Sequence, residues 1–303
     1  MKRPPHMQTS DKAVILSPAG KIDASVVQGA AAVLEGWGLQ TVIGDHAVSE
    51  HGRYSGSVNE RLNDLQKAFD DPEVKVILCS RGGYGVVHLL NDLDFSGIRA
   101  HPKWVIGYSD ITALHAALQL NGIASIHGPM AKHFSDEGAE DRSVQYTKSI
   151  VSGHAVEYHT PVTGKNELNR NGEAAGRLFG GNLSVFCSIL GTKYARVPRD
   201  GILFIEDIGE APYKTDRMIH QLKLAGVFER ISALIVGQFT DYEEDEQMYD
   251  NLQQSIFNVV KDDAFPVCFN FPVGHVKQNY PLIMGATASL RVADTFISFT
   301  QKK

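Results

Sequence analysis

Between residues 13 and 128, short and almost wholly apolar runs alternate with stretches of helical period, a pattern that few folds accept. AVILSPAG (13–20) reads as a strand and loop, Ala24 to Leu34 as an amphipathic helix, and TVIGD (41–45) as a second strand. VNERLNDLQKAFDD (58–71) reads as a helix with apolar Leu62, Leu65 and Phe69, and VKVILCS (74–80) as a third strand. After RGGYG a helix is expected through Leu90, then a fourth strand in WVIGYS and a short fifth in ASIHG (124–128). Strands this apolar, alternating with helices, imply a parallel sheet covered on both faces. Such sheets bind ligands at the carboxyl ends of their strands, where RGGYG and Gly107-Tyr108-Ser109 both fall.

From about 135 to 172 the chain turns polar (SDEGAEDRS, then HTPVTGKNELNRNGE), which we read as connector and edge structure at a domain boundary. Residues 1–155 then form one domain and 156–303 a second. The second half has a helix from Asn182, a strand ILFIED (202–207), a helix around Met218 to Val227 and a strand ALIVGQF (233–239). An acidic helix over about 243–262 precedes VCFNFP (267–272), and LIMGATASLRVADTFISFT alternates like antiparallel strands.

The formal charge of −6 argues against nucleic acid or an anionic membrane as a partner, and no apolar run is long enough to span a bilayer. Cys79, Cys187 and Cys268 are far apart and sit in apolar strings, as reduced core cysteines of a cytoplasmic protein do. The basic N-terminus lacks the apolar segment of a secretory signal. His127 and His133 lack companions at zinc-binding spacing, so neither a metal nor another cofactor is expected.

Ser109 stands where a strand meets a helix. It either caps the helix with its hydroxyl or is a nucleophile lifted by a tight Gly-x-Ser turn. A nucleophilic serine needs a base and an acid that orients the base. Among twelve histidines, His275 stands at a glycine-containing loop after an apolar run. His127 ends the short fifth strand and competes with it, whereas helix geometry aims His115 away from Ser109. The acid candidates are Glu206 and Asp207 at the end of LFIED, with Glu210 further along; acids there also favour a helix N-terminus. Serine, acid and histidine follow one another in the order of the α/β-hydrolase triad. Gly82-Gly83 lacks both the P-loop and the dinucleotide signatures and suits an oxyanion hole, with one N–H from this loop and one from Asp110. Arg81 matches a substrate carboxylate, or pairs with a structural acid. Asn182 either shapes a substrate cleft or caps a helix.

Together SRGGYG, GYSD, GGNLS, LFIEDIGEAPYKTDRM and the GH near the C-terminus resemble the LD-carboxypeptidases of serine peptidase family S66, a family that includes the microcin C7 self-immunity proteins. The resemblance runs from the SPAG loop to the closing strands. It implies an α/β fold with an N-terminal, mostly parallel, flavodoxin-like sheet flanked by helices and a smaller, β-rich C-terminal α+β domain. It implies a triad of Ser109, Glu206 and His275, with Asp207 and Glu210 as alternative acids, and Gly83 and Asp110 as backbone oxyanion donors. The implied substrate is a murein tetrapeptide, whose terminal D-alanine is released by a cytoplasmic homodimer during peptidoglycan recycling. Two other readings are an immunity-type hydrolase of aminoacyl-nucleotide amides and a non-catalytic ligand-binding protein. The former wants an aromatic platform; Trp37 and Trp104 lie in the first domain, leaving Phe179, Tyr194 or Tyr213.

Overall fold

A computed structural model describes residues 1–162 and 168–302 of the chain, so part of the polar 135–172 stretch lies outside the described residues. It divides into two compact units, one of residues 1–154 with 277–285 and the other of 155–276 with 286–302.

In the first unit, β1 (Lys12–Leu16), β2 (Gln40–Ile43), β3 (Val74–Cys79), β4 (Trp104–Gly107) and β5 (Ser125–His127) pair in parallel. Their order is β2-β1-β3-β4-β5, the flavodoxin-like order, and β11 (Leu282–Met284) closes the edge antiparallel to β5. The strand order reverses between β1 and β3, which puts the switch-point crevice at the loops after those two strands. Helix α1 (Ala24–Gly36) buries Val27, Ala30, Ala31 and Leu34 and packs against α5 (Ala131–Glu137). Helix α2 (Val58–Asp70) packs on β1 and β3.

Helix α2 is fixed at both ends. At its start the Ser57 hydroxyl accepts from the Glu60 N–H, and the Glu60 carboxylate accepts from the Ser57 N–H at 2.7 Å, a capping box. At its end the fully buried Lys103 ammonium donates to the carbonyls of Ala68, Phe69 and Asp71 at 2.8, 2.9 and 2.6 Å. These carbonyls are at the end of the helix, where intrahelical donors run out, and a cation is favoured there.

The structure differs in detail from what the sequence suggests. The helix expected after RGGYG is a single 3₁₀ turn, Val86–His88, because Asn91, Asp92 and Asp94 bring in turn chemistry. The polar stretch after 135 holds α6 (Arg142–Val151), capped by the Asp141 carboxylate and buried along Val144, Thr147, Ile150 and Val151. The closing strands divide at Gly285: β11 joins the first unit, and the strands after it join the second.

Among its described residues the second unit is built on one seven-stranded sheet. Its strands are β6 (Val156–Pro161), β7 (Gly172–Asn182), β8 (Gly201–Ile208), β9 (Ile231–Thr240), β10 (Val267–Cys268), β12 (Thr287–Val292) and β13 (Phe296–Gln301). Strand β7 changes partners along its length. Gly172 to Arg177 pair antiparallel with β12, and Leu178 to Asn182 pair parallel with β8. The half from β7 to β10 is therefore parallel, with α7 (Leu183–Ile189), α8 (Pro212–Leu224) and α9 (Leu252–Val260) contributing to a core that includes Phe179, Leu203, Ile219, Phe228, Ile256 and Phe269. Helix α9 is shorter than the acidic helix expected, because residues 243–251 carry no apolar period to bury.

Replacing Lys103 by Met removes three donors and leaves the end of α2 without them. Urea unfolding at pH 7 should show a loss of about 2–4 kcal/mol; an unchanged midpoint would mean that α2 does not depend on Lys103.

Candidate functional site

In the first unit the chemistry gathers at the carboxyl ends of β1, β3 and β4. Strand β4 ends at Gly107, Tyr108 is extended, and Ser109 turns to φ 63° before a 3₁₀ turn (Ser109–Ile111) runs into α4 (Thr112–Leu120). A positive φ at a non-glycine residue is strained and persists only where its surroundings over-determine it. Neither the 3₁₀ turn nor α4 has a side-chain cap, so the half-buried Ser109 is not a capping residue.

The loop after β3 packs directly on this turn. A Cβ added to Gly82 would lie 2.8 Å from the Ser109 Cβ and 3.0 Å from its Oγ, so only glycine fits beside Ser109. The carbonyl of Gly82 accepts from the Gly20 N–H at 3.0 Å, which ties in the SPAG loop across the switch point. The N–H groups of Gly83 and Asp110 donate to no acceptor among the described residues. Arg81 is exposed and donates to the Lys21 carbonyl at 3.2 Å.

Two histidines of this unit have structural surroundings. The His115 Nε2 bonds the Gly107 carbonyl at 2.8 Å and must carry the proton, so Nδ1 accepts from the Ser125 hydroxyl at 2.8 Å. His127 is fully buried in β5, its ring near those of Tyr108 and His115.

In the second unit the acids at the end of β8 separate by direction, because successive residues of a strand face opposite ways. The Glu206 Oε2 accepts from His275 Nδ1 at 2.7 Å, with the carboxylate fully buried. Asp207 accepts from Asn182 Nδ2 at 2.8 Å and from the N–H groups of Ser184 and Ile208 at 2.9 and 2.8 Å. Burial still pushes the Asp207 carboxyl up to about 6. Glu210, which precedes α8, stands 3.7 Å from Lys214 in the first turn of that helix. The Asn182 oxygen accepts from the Val185 N–H at 3.1 Å, so both ends of its carboxamide serve the start of α7.

The local chain explains why His275 meets Glu206. The register between β8 and β9 shifts around Glu206, as Ile205 pairs with Val236 but Asp207 with Phe239. At this bulge the Gln238 N–H donates to the Val273 carbonyl at 2.9 Å and its side chain to the Phe271 carbonyl at 3.2 Å, docking the loop after β10. Gly274, at φ 127°, then passes so close that an added Cβ would stand 3.0 Å from the Glu206 Oε2. Bulges re-aim side chains in this way beside functional sites. A ring that donates from Nδ1 to the carboxylate carries, in its neutral form, its lone pair on Nε2, the arrangement a general base needs.

Ser109 thus belongs to the first unit with Gly82, Gly83 and Asp110, and Glu206 belongs with His275 to the second. Sequence reasoning used the glycine before His275 only as part of a loop and passed over Gly237-Gln238 and Arg61. No group of three or more metal-ligating side chains exists among the described residues, and no helix among them is long and apolar enough to cross a membrane.

Comparison with known proteins matches residues 14–128 to the N-terminal domain of LD-carboxypeptidases and 175–290 to their C-terminal domain, both of peptidase S66. The chain is 34% identical to a probable murein peptide carboxypeptidase of Bacillus subtilis, covering 96% of this chain and 92% of that one. It is 30% identical to a murein tetrapeptide carboxypeptidase of Pseudomonas aeruginosa, covering 92% of each. The crystal structure of a muramoyltetrapeptide carboxypeptidase from Oxalobacter formigenes superposes with a TM-score of 0.87 at 27% identity, covering 96% of this chain and 99% of that one.

His115 gives the β4 turn a pH signature. Burial pushes its pKa down to about 4, against about 6.5 for an exposed histidine. The unfolded chain then binds the proton first, so the His115 contribution is complete above about pH 6.5 and is lost as pH falls toward 4. Asp110 and Asp207, pushed up to about 6, act in the opposite sense, so the comparison needs a variant. Between pH 7 and 4.5 the wild type should lose about 2–3 kcal/mol more stability than His115→Gln, read from urea midpoints.

Proposed function

The chain belongs to the peptidase S66 family of LD-carboxypeptidases, and on that premise we propose that it releases the terminal D-alanine of murein tetrapeptides by serine-type hydrolysis. The observation that carries this reading is the 2.7 Å bond between His275 Nδ1 and the buried Glu206, which prepares Nε2 as a base. The substrate follows from the names of the relatives.

The Ser109 Oγ attacks the scissile carbonyl carbon as His275 Nε2 takes its proton. Glu206 holds the ring in the productive tautomer and stabilises the imidazolium that forms. The N–H groups of Gly83 and Asp110 receive the negative oxygen of the tetrahedral intermediate; losing one such donor typically costs about 2.7–4 kcal/mol of transition-state stabilisation. The C–N bond breaks as His275 returns the proton to the departing D-alanine amine. Water, activated by the same base, then hydrolyses the Ser109 ester. Arg81 would anchor the terminal carboxylate of the substrate. Asn182, with its carboxamide engaged at the start of α7, has a structural part in this scheme.

The same reading makes the enzyme a cytoplasmic homodimer of peptidoglycan recycling. Its three cysteines are buried free thiols, and burial raises the pKa of each, which suits a reducing compartment. For an aminoacyl-nucleotide substrate, Phe179 and Tyr194 are poor base platforms, since both are buried, as are Trp37 and Trp104. Tyr213 alone of the aromatic candidates is exposed.

The test is D-alanine release from L-Ala-γ-D-Glu-meso-diaminopimelate-D-Ala, with and without EDTA. Release by the wild type should be indifferent to EDTA. Ser109→Ala and His275→Ala should each lose about 10⁴-fold or more in kcat. A wild type that releases no D-alanine would overturn the substrate, and an active Ser109→Ala would overturn the mechanism.

A further inference from the structure

Two buried, oppositely charged side chains meet one peptide group beside Ser109. The Arg61 Nη1, from α2, donates to the Gly85 carbonyl at 3.0 Å and to the Pro18 carbonyl at 2.8 Å. The Asp110 carboxylate accepts from the Val86 N–H at 2.9 Å. The Gly85 carbonyl and the Val86 N–H are the two polar ends of a single peptide unit, gripped on one side by a cation and on the other by an anion. Arg61 and Asp110 are each only 2% exposed, and the guanidinium lies over the Tyr54 ring at 4.9 Å. A buried charge that bonds backbone is costly to misplace, so this grip is stiff.

The loop so held is one that cannot hold itself. Gly82, Gly83 and Gly85 are three of four consecutive residues, and Gly83 and Gly85 take φ values of 109° and 129°. Such backbone has many accessible conformations unless it is fastened from outside. Arg61 fastens it to the SPAG loop and α2, while Asp110 fastens it to the serine turn itself.

Resting on the serine-hydrolase reading above, we propose that the side chains of Arg61 and Asp110 are a positioning pair, which fixes the N–H of Gly83 relative to that of Asp110 by gripping the Gly85–Val86 peptide. Neither side chain touches substrate. Both act through the spacing of two donors that matter only when the oxyanion forms, so their loss falls on kcat and spares KM.

The experiment compares Asp110→Ala, Asp110→Asn, Arg61→Gln and Arg61→Lys with the wild type. It reads kcat and KM for D-alanine release and, separately, the rate at which a fluorophosphonate labels Ser109, located by mass spectrometry. Asp110→Ala and Arg61→Gln should lose about tenfold to a hundredfold in kcat and in labelling rate. KM should stay within about threefold, and Asp110→Asn and Arg61→Lys, which keep an acceptor and a donor, should recover most of the rate. If Asp110→Ala or Arg61→Gln does not fold, as judged by circular dichroism, the folded variant of the other residue decides. Folded variants with wild-type kcat and labelling, or a rise in KM alone, would overturn the pair. Wild-type labelling without D-alanine release would refute the peptidase reading alone, because the labelling ratios still judge the pair. Absence of wild-type labelling at Ser109 would overturn both.

Discussion

The contact between Gly82 and Ser109 is the constraint on which the candidate chemistry of the first unit depends. Ser109 keeps a left-handed backbone conformation that costs of the order of 1–3 kcal/mol. It does so because the loop after β3 lies against it where no side chain fits. The parallel sheet makes this possible, since β3 and β4 are neighbours whose carboxyl ends emerge side by side. His115 holds the end of β4 through the Gly107 carbonyl, and full burial favours its neutral ring. Local strain is thus carried by packing that the sheet topology supplies.

The second unit solves a different problem with the same means. Glu206 and Asp207 are adjacent in sequence, yet one orients a histidine and the other secures a helix start. Strand geometry alone separates them by face, and the shift in register at β9 brings the loop of His275 onto the Glu206 side. Asp207 is instead bonded by two backbone N–H groups and a carboxamide at the start of α7 and the end of β8.

Much of this was legible in the residues. Strands β1, β3 and β4 announce themselves because buried parallel strands are apolar on both faces, and α2 because its apolar positions recur every three or four residues. Helix α6 was hidden because charged and polar residues dilute a narrow buried stripe, and β7 because glycines at 172, 176, 180 and 181 read as loop. Choosing among Glu206, Asp207 and Glu210 required direction, which composition does not carry. Arg61 was invisible for another reason: a cation within an amphipathic helix is ordinarily a solvated side chain, and only the packed loops around it make it a buried one.

The proposed function requires Ser109 and His275, far apart in the sequence, to act as one catalytic unit. A double-mutant cycle on kcat/KM for D-alanine release, using Ser109→Ala, His275→Ala and the combination, addresses it directly. The account predicts that the double variant is no slower than either single variant, to within about threefold, because removing either member already disables the unit. If the two losses multiply, the residues work independently and the account is wrong.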